Sequence, residues 1–237
     1  MGRVFACSDL HGVYAIYEKI VAFLQPDDIV YCLGDCGDRG PEGWKLIKAV
    51  YNNSQFIYIK GNHEDMLVEA MRENLQDISP LHSDAWYQLN YNGGRETFKG
   101  WLNDDKSEKK KWVERLDSLP YQLDYLTKNK RVLWHLSHAG FTPFGDYPPL
   151  EEDLIWDRYH IDDEVIAPSN TAVKEVCLHG HTPIFAIKED LPIEPSALMY
   201  ANGHKVCIDN YTYHTNFAIL LDLDTLYVHQ FYAYEED

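Results

Sequence analysis

The stretch Arg3-Val4-Phe5-Ala6-Cys7-Ser8-Asp9-Leu10-His11-Gly12 decides the fold. A β-branched and aromatic run breaks at Ser8 into a polar turn. An apolar-periodic segment follows from Tyr14 to Leu24, so a strand passes to a helix through a loop that carries a carboxylate and an imidazole. The pattern then repeats. Ile29 to Leu33 reads as a strand, Gly34-Asp35-Cys36-Gly37-Asp38-Arg39-Gly40 as its loop and Trp44 to Tyr51 as a helix; the strand Phe56 to Ile59 leads into Gly61-Asn62-His63-Glu64. Strands that alternate with helices predict βαβ units and hence parallel pairing. Asp35 lies 26 residues after Asp9, and Asn62 lies 27 after Asp35, about one βαβ repeat each time. Three loops therefore reach the same rim, beyond the carboxyl ends of the strands, where open α/β sheets bind ligands.

The segment from Glu64 to about Leu119 reads as mostly helical, and Trp112, Val113, Leu116 and Leu119 share one helical face. The lysines at 106 and 109–111 belong to the solvated side of that helix. Strands return at Arg131–Leu136, Glu175–Leu178, Lys205–Ile208, Phe217–Asp222 and Leu226–Tyr232, the last two joined through Leu223, Asp224 and Thr225 as an antiparallel hairpin. Late antiparallel strands added to an early parallel core imply two sheets or one mixed sheet. His138 and His181 each follow a strand, so two more imidazoles reach the rim. No repeat or linker interrupts the chain, which predicts one domain over residues 1–237.

The 237 residues are 45% hydrophobic and 25% charged, an ordinary globular balance. A chain of this length buries enough surface to need no disulfide or metal staple, so a metal here serves chemistry. Thirty-eight acidic against 21 basic residues give a formal charge of −17, which disfavours nucleic acid as a partner. A phosphorylated substrate stays open, because bound cations invert the potential of one cleft. No apolar run approaches the roughly 20 residues that cross a bilayer, and the start shows no signal-peptide pattern, so the expected location is cytoplasmic, away from membranes. Five cysteines without paired spacing read as free thiols in a reducing compartment. Cys7, Cys32, Cys177 and Cys207 fall in strands, while Cys36, in a loop beside Asp35, is a candidate for redox chemistry but more simply a small loop residue.

Asp9, His11, Asp35, Asn62, His138 and His181 thus converge. Oxygen and imidazole donors without thiolate suit Mn²⁺, Fe or Zn²⁺. Six donors are too many for one catalytic ion with an open position, but they suit two ions that share a carboxylate. Asp35, from the middle strand, is the natural bridge.

The segments SDLHG (8–12), GDCGDRG (34–40), GNHE (61–64), SHAG around His138 and HGHTP around His181 resemble the motifs of calcineurin-like metallophosphoesterases. Among these they are most similar to the bacterial and phage-type serine/threonine phosphoprotein phosphatases, with weaker matches at NGGRET (92–97) and LIWDR (154–158). The resemblance implies a four-layer αββα sandwich, two mixed β-sheets flanked by helices. It implies one metal on Asp9, His11 and Asp35 and a second on Asp35, Asn62, His138 and His181, with Mn²⁺ the expected ion. It further implies that His63 is the general acid, oriented by Asp38, and that Arg39 and Arg158 grip the phosphate, with Asn62 also touching substrate. The implied reaction is in-line attack on a phosphomonoester by a hydroxide held between two metals. Arg95, in NGGRET, is a weaker phosphate candidate, and His181 is preferred to His179 as the ligand. The other histidines read as surface or core groups.

Two positions depart from the family pattern. Cys36 and Gly37 replace a bulkier pair, and Asp209-Asn210-Tyr211 stands where bacterial relatives tend to show Asp-Thr-Gly. Tyr211 or Tyr213 is a candidate to line the pocket wall, although packing in the aromatic-rich C-terminal sheet is the simpler expectation. The expected substrate is a phosphorylated protein or a small phosphomonoester. A symmetrical dinucleoside tetraphosphatase is the alternative, although such enzymes usually carry Asp after Gly-Asn-His and lack the residue matching Asp38. A nuclease or phosphodiesterase of the wider superfamily usually carries Gly-His-x-His, and Pro183 breaks that pattern. An inactive phosphoprotein-binding scaffold would have lost a ligand or the acid, and none is missing.

Overall fold

The computed structural model describes residues 2–79, 82–145, 148–168 and 171–234. Strands β1 (Val4–Cys7), β2 (Ile29–Cys32) and β3 (Phe56–Tyr58) pair in parallel, connected by α1 (Tyr14–Phe23) and α2 (Gly43–Asn52). On the other side of β1, β9 (Phe217–Asp222) runs antiparallel and pairs in turn with β10 (Val228–Tyr232), giving the order β10-β9-β1-β2-β3. The β9–β10 turn is closed by Asp222, whose Oδ1 accepts the N–H groups of Asp224 and Thr225, both at 2.9 Å.

The second sheet has the order β4-β5-β6-β8-β7, from β4 (Gln122–Leu126), β5 (Val132–Ser137), β6 (Lys174–His179), β7 (Leu198–Tyr200) and β8 (Lys205–Cys207). Its three central strands are parallel and both edges are antiparallel. Alternation along the strands builds the layers. Phe5 and Cys7 point to the helical side of the first sheet, where they meet Ile16, Ile20, Ile47 and Met71. Ala6 points the other way and joins Trp134, Leu136, Leu178, Val206, Ile219 and Leu221 between the two sheets.

The middle of the chain is helical as expected, but divided into α3 (Asn62–Leu75), α4 (Asp84–Tyr91), α5 (Arg95–Leu102) and α6 (Lys106–Asp117). Trp101 and Trp112 from the last two pack into the helical-side core. Short helices α7 (Asp153–Trp156), α8 (Ile184–Ile187) and α9 (Thr212–Thr215) punctuate the later loops, and a 3-10 turn at Tyr159–Asp162 packs its buried His160 ring on His179. The result is two mixed five-stranded sheets flanked by helices. Sequence reading did not anticipate β4 and β7. Both are edge strands with partly exposed side chains on both faces, so neither carries a run of buried apolar positions. Among the described residues no helix is long and apolar enough to cross a membrane.

Candidate metal centre and active site

The rim residues sit in loops whose backbone turns sharply just after each strand. Asp9, His11, Asp35, Asp38, Arg39 and His181 all have φ between 40° and 64°, in the left-handed region that side chains normally avoid. Such strain, about 1–2 kcal/mol per residue, persists where surrounding structure over-determines it. Here the first two loops lock together: Asp9 N–H donates to the Gly34 carbonyl at 3.2 Å, His11 N–H to Asp35 at 2.9 Å and Gly12 N–H to Cys36 at 2.7 Å.

Asp35 is the centre of the cluster. Its Oδ1 accepts the His63 N–H at 3.0 Å, and its Oδ2 lies 3.6 Å from His11 Nε2, 3.7 Å from His63 Nε2 and 3.4 Å from His138 Nε2. Asp9 Oδ2 accepts the Ser8 hydroxyl at 2.5 Å and the His181 N–H at 3.1 Å, which leaves Oδ1 3.8 Å from His11 Nε2. Asn62 Oδ1 is 2.9 Å from His138 Nε2 and 3.2 Å from His181 Nδ1. All eight of these residues are buried. Gly180 and Gly61 are required by close approach, since a Cβ at either position would overlap the carboxylate of Asp9 or Asp35.

The donor chemistry fits divalent cations. His11 Nδ1 lies 3.0 Å from the Gly37 carbonyl and His138 Nδ1 lies 2.7 Å from the Leu33 carbonyl. A carbonyl only accepts, so each Nδ1 carries a proton, and Nε2 is the nitrogen left on the cluster side, where a bound cation would take the place of any proton it holds. The ligand atoms of His11, Asp35 and His63 lie within 4.8 Å of one another, as do those of Asp9, Asp35 and His138. The two groups share Asp35, and buried carboxylates of this kind need cations or charged partners.

Burial works to raise the Asp35 pKa, but the imidazoles of His138 and His63 outweigh it and hold the carboxyl well below the usual range. Burial equally opposes a charged His138, yet Asp35 and Asp9 push it up to about 10. For His63, burial is again the opposing influence, and Asp35 and Asp38 raise it above the ordinary histidine value. Burial, followed by the charge of Asp9, drives Asp209 well above the carboxylate range.

His63 Nδ1 lies 2.7 Å from Asp38 Oδ2, and Asp38 is fixed by its own N–H donating to Thr97 Oγ1 at 2.8 Å. The Arg39 guanidinium reaches His11 Nε2 at 3.0 Å and His63 Nε2 at 3.1 Å, while Arg158 Nε donates to His181 Nε2 at 3.1 Å. Both arginines therefore enter the cluster. Arg95 does not: it lies exposed at the start of α5 and, among the described residues, bonds to no site residue. NGGRET contributes instead the Gly93 carbonyl, which accepts the Arg39 N–H at 3.0 Å, and the Thr97 hydroxyl. His179 turns away from the cluster, with Nε2 2.7 Å from the Tyr200 hydroxyl.

Cys36 is buried, its Sγ 3.3 Å from that of Cys32, and burial together with Cys32 pushes its thiol well up, the opposite of an activated thiolate. Tyr213 does not pack in the C-terminal sheet. Its ring lies 5.0 Å from the Arg39 guanidinium carbon and 5.6 Å from the His11 ring, and its hydroxyl donates to Tyr211 at 3.0 Å. Tyr211 has φ 58°, a left-handed conformation that glycine adopts without a Cβ penalty.

One residue of the site escaped sequence reasoning as a structural element. Glu64 Oε2 accepts the N–H groups of Asp35 at 2.8 Å and Gly61 at 3.0 Å, while Oε1 accepts Cys36 N–H at 3.1 Å and the Tyr58 hydroxyl at 2.6 Å. The signal was available: a glutamate three residues after a helix-starting Gly61 is half of a capping box.

A family model for calcineurin-like phosphoesterases matches residues 2–209. Over 161 residues the chain is 26% identical to serine/threonine-protein phosphatase 2 of Escherichia coli (strain K12), covering 65% of this chain and 67% of that protein. It is also 26% identical over 153 residues to a symmetrical bis(5'-nucleosyl)-tetraphosphatase of Nitrosococcus oceani, covering 62% of this chain and 47% of the other. Among solved structures, a protein serine/threonine phosphatase from Saccharomyces cerevisiae superposes with a TM-score of 0.53 at 16% identity, over 100% of this chain and 81% of the other. That last likeness concerns the fold alone. With the family match spanning most of its length and two mixed sheets carrying a buried Asp, Asn and His cluster at their rim, this chain is a member of the calcineurin-like phosphoesterase family.

Proposed function

We propose that the chain is a metal-dependent phosphomonoesterase of the serine/threonine protein phosphatase type. The observation that carries this reading is the 2.7 Å contact between His63 Nδ1 and Asp38 Oδ2, both buried, with the other face of the imidazole turned to Asp35. An imidazole held this way delivers a proton to a departing alkoxide, a step that typically contributes about 10² to 10⁴ in rate. Asp9, His11 and Asp35 would hold one divalent cation, and Asp35, Asn62, His138 and His181 the other, with Mn²⁺ the best-suited ion. Such ions supply Lewis-acid charge to phosphoryl oxygens and a source of hydroxide at neutral pH. Arg39, at His11 and His63, and Arg158, at His181, match the charge of the equatorial oxygens, and Asn62, beside His138 and His181, is a further substrate contact.

Glu64 supports the protein phosphatase branch over the tetraphosphatase branch. Its four bonds span Asp35, Cys36, Gly61 and Tyr58, and an aspartate, one methylene shorter, loses that reach. The formal charge of −17 points the same way, since Arg39 and Arg158 are the cations that bond within the cluster and a tetraphosphate brings several more charges. It also argues against nucleic acid as a partner. Five buried free thiols accord with a cytoplasmic location. The deciding experiment compares phosphoserine, phosphothreonine and phosphotyrosine peptides with diadenosine tetraphosphate under Mn²⁺. Phosphopeptides are expected to give the higher specificity constant. Cleavage of the tetraphosphate to two diphosphates with a far higher constant would move the protein to the other branch of its family.

A further inference from the structure

Lys205 lies on β8, on the face opposite that of Val206, which packs between the two sheets, and is fully buried. Its ammonium donates to the backbone carbonyls of His160 and, at 3.1 Å, Asp163, and to Thr142 Oγ1 at 3.2 Å. Three acceptors match the three hydrogens of an ammonium. Among the described residues its hydrogen bonds go to neutral oxygens, and the carboxylates of Asp163, Asp157 and Asp162 act on it only from beyond ion-pair distance. A valine or leucine would pack in a central strand without the cost of desolvating a charge.

The two carbonyls belong to the segment that begins at Arg158. That segment makes a 3-10 turn at Tyr159–Asp162, and its neighbours are open to solvent: Tyr159 is 89% exposed, and Asp162 and Asp163 are also exposed. His160 is buried within it and packs on His179; among the described residues neither ring nitrogen has a hydrogen-bond partner, and its polar contacts, the backbone N–H at 3.3 Å and Nδ1 at 3.7 Å, go to Asp157 of the same segment rather than to the sheet. Asp163 is additionally tied by Thr142 Oγ1, which donates to its Oδ2 at 2.7 Å. Lys205 is therefore the polar tie between the sheet and the stretch that delivers Arg158 to His181.

We propose that Lys205 is a positioning residue for Arg158: by holding the Arg158–Asp163 segment from behind the second sheet, it keeps the guanidinium ordered over the phosphate position before substrate arrives. The proposal rests on the reading of Arg158 as a phosphate-gripping group. Without the tie, Arg158 must be ordered at the moment of binding, which weakens phosphate recognition by about three- to tenfold while the cluster itself stays intact.

The test uses the full-length, Mn²⁺-loaded protein with Lys205→Met, Arg158→Ala and the double variant. Inorganic phosphate binding is measured by calorimetry, KM and kcat on p-nitrophenyl phosphate, and metal content by elemental analysis. Lys205→Met is expected to weaken phosphate binding and raise KM by that factor, with unchanged metal content, and to add nothing in the Arg158→Ala background. Thr142→Val serves if Lys205→Met does not fold: it removes the Lys205 and Asp163 bonds of the hydroxyl and should shift phosphate binding in the same direction by less. Unchanged phosphate affinity in the folded variant, strictly additive effects in the double variant, or an Arg158→Ala that binds phosphate as tightly as the wild type would each overturn the proposal. Failure of the wild type to hydrolyse phosphopeptides would count against the proposed activity while leaving the phosphate-binding comparison intact.

Discussion

The Glu64 carboxylate accepts the backbone N–H of Asp35 at 2.8 Å, so the residue at the centre of the cluster is held in its left-handed conformation by a side chain 29 positions away. Both Glu64 oxygens accept two donors each, and the residue is fully buried. A glutamine in its place turns one acceptor into a donor and leaves two buried donors unpaired, at about 1–3 kcal/mol each. Glu64→Gln should lower the melting temperature by roughly 5 to 15 °C and weaken metal binding. A melting curve that overlays the wild type would show that this tie is dispensable.

Asp35 touches both candidate metal groups. Asp35→Asn is expected to cut kcat by at least about 10² to 10³, and elemental analysis should find fewer than two ions per chain. Chelation of the wild type should abolish turnover, restored by Mn²⁺. Retention of two ions and the full rate in Asp35→Asn would assign the bridge to another carboxylate.

If His63 supplies a proton, its loss matters only where the leaving group needs one. His63→Asn should lower turnover of an alkyl phosphate by about 10² to 10⁴ and that of p-nitrophenyl phosphate far less. Asp38→Asn acts through the 2.7 Å contact and should give a milder defect with the same dependence on leaving group. Equal losses on both substrates would make His63 a substrate- or metal-positioning group.

Tyr213 covers the Arg39 guanidinium at 5.0 Å. Removing a cation–π contact of about 0.5–2 kcal/mol loosens that arginine, so Tyr213→Leu should raise KM several-fold with little change in kcat. An unchanged KM would reduce Tyr213 to packing.

Burial and the neighbouring Lys205 lower His160 from 6.5 to about 4. The unfolded chain therefore takes up a proton as pH falls through 6.5, while the folded chain stays neutral down to about 4. The stabilisation is complete above 6.5 and is lost progressively between 6.5 and 4, on the order of 3 kcal/mol in all. Urea unfolding across that range should show a shallower pH dependence for His160→Leu than for the wild type. Parallel curves would place the titration elsewhere.

The parallel core and the cluster at its rim were legible in short local stretches. Asp9, Asp35 and Asn62 each follow an apolar run in which strand periodicity gives way to a polar turn, and a βαβ unit leaves only one edge for such turns to share. His138 and His181 could be added for the same reason, since each lies just after a strand of the second sheet. The tertiary structure alone decided which neighbours serve these groups. Strands β4 and β7 pair only because an inner strand offers them an edge, and their half-exposed residues carry no periodic signal. Thr97 meets Asp38 across 59 residues, and Lys205 meets the Arg158 segment across 42 to 45. Tyr213 faces Arg39 rather than the C-terminal sheet, two residues after Tyr211 takes a positive φ. Such partners are fixed by loop closure over long separations and by the packing of two sheets, and a local pattern of residue types contains neither.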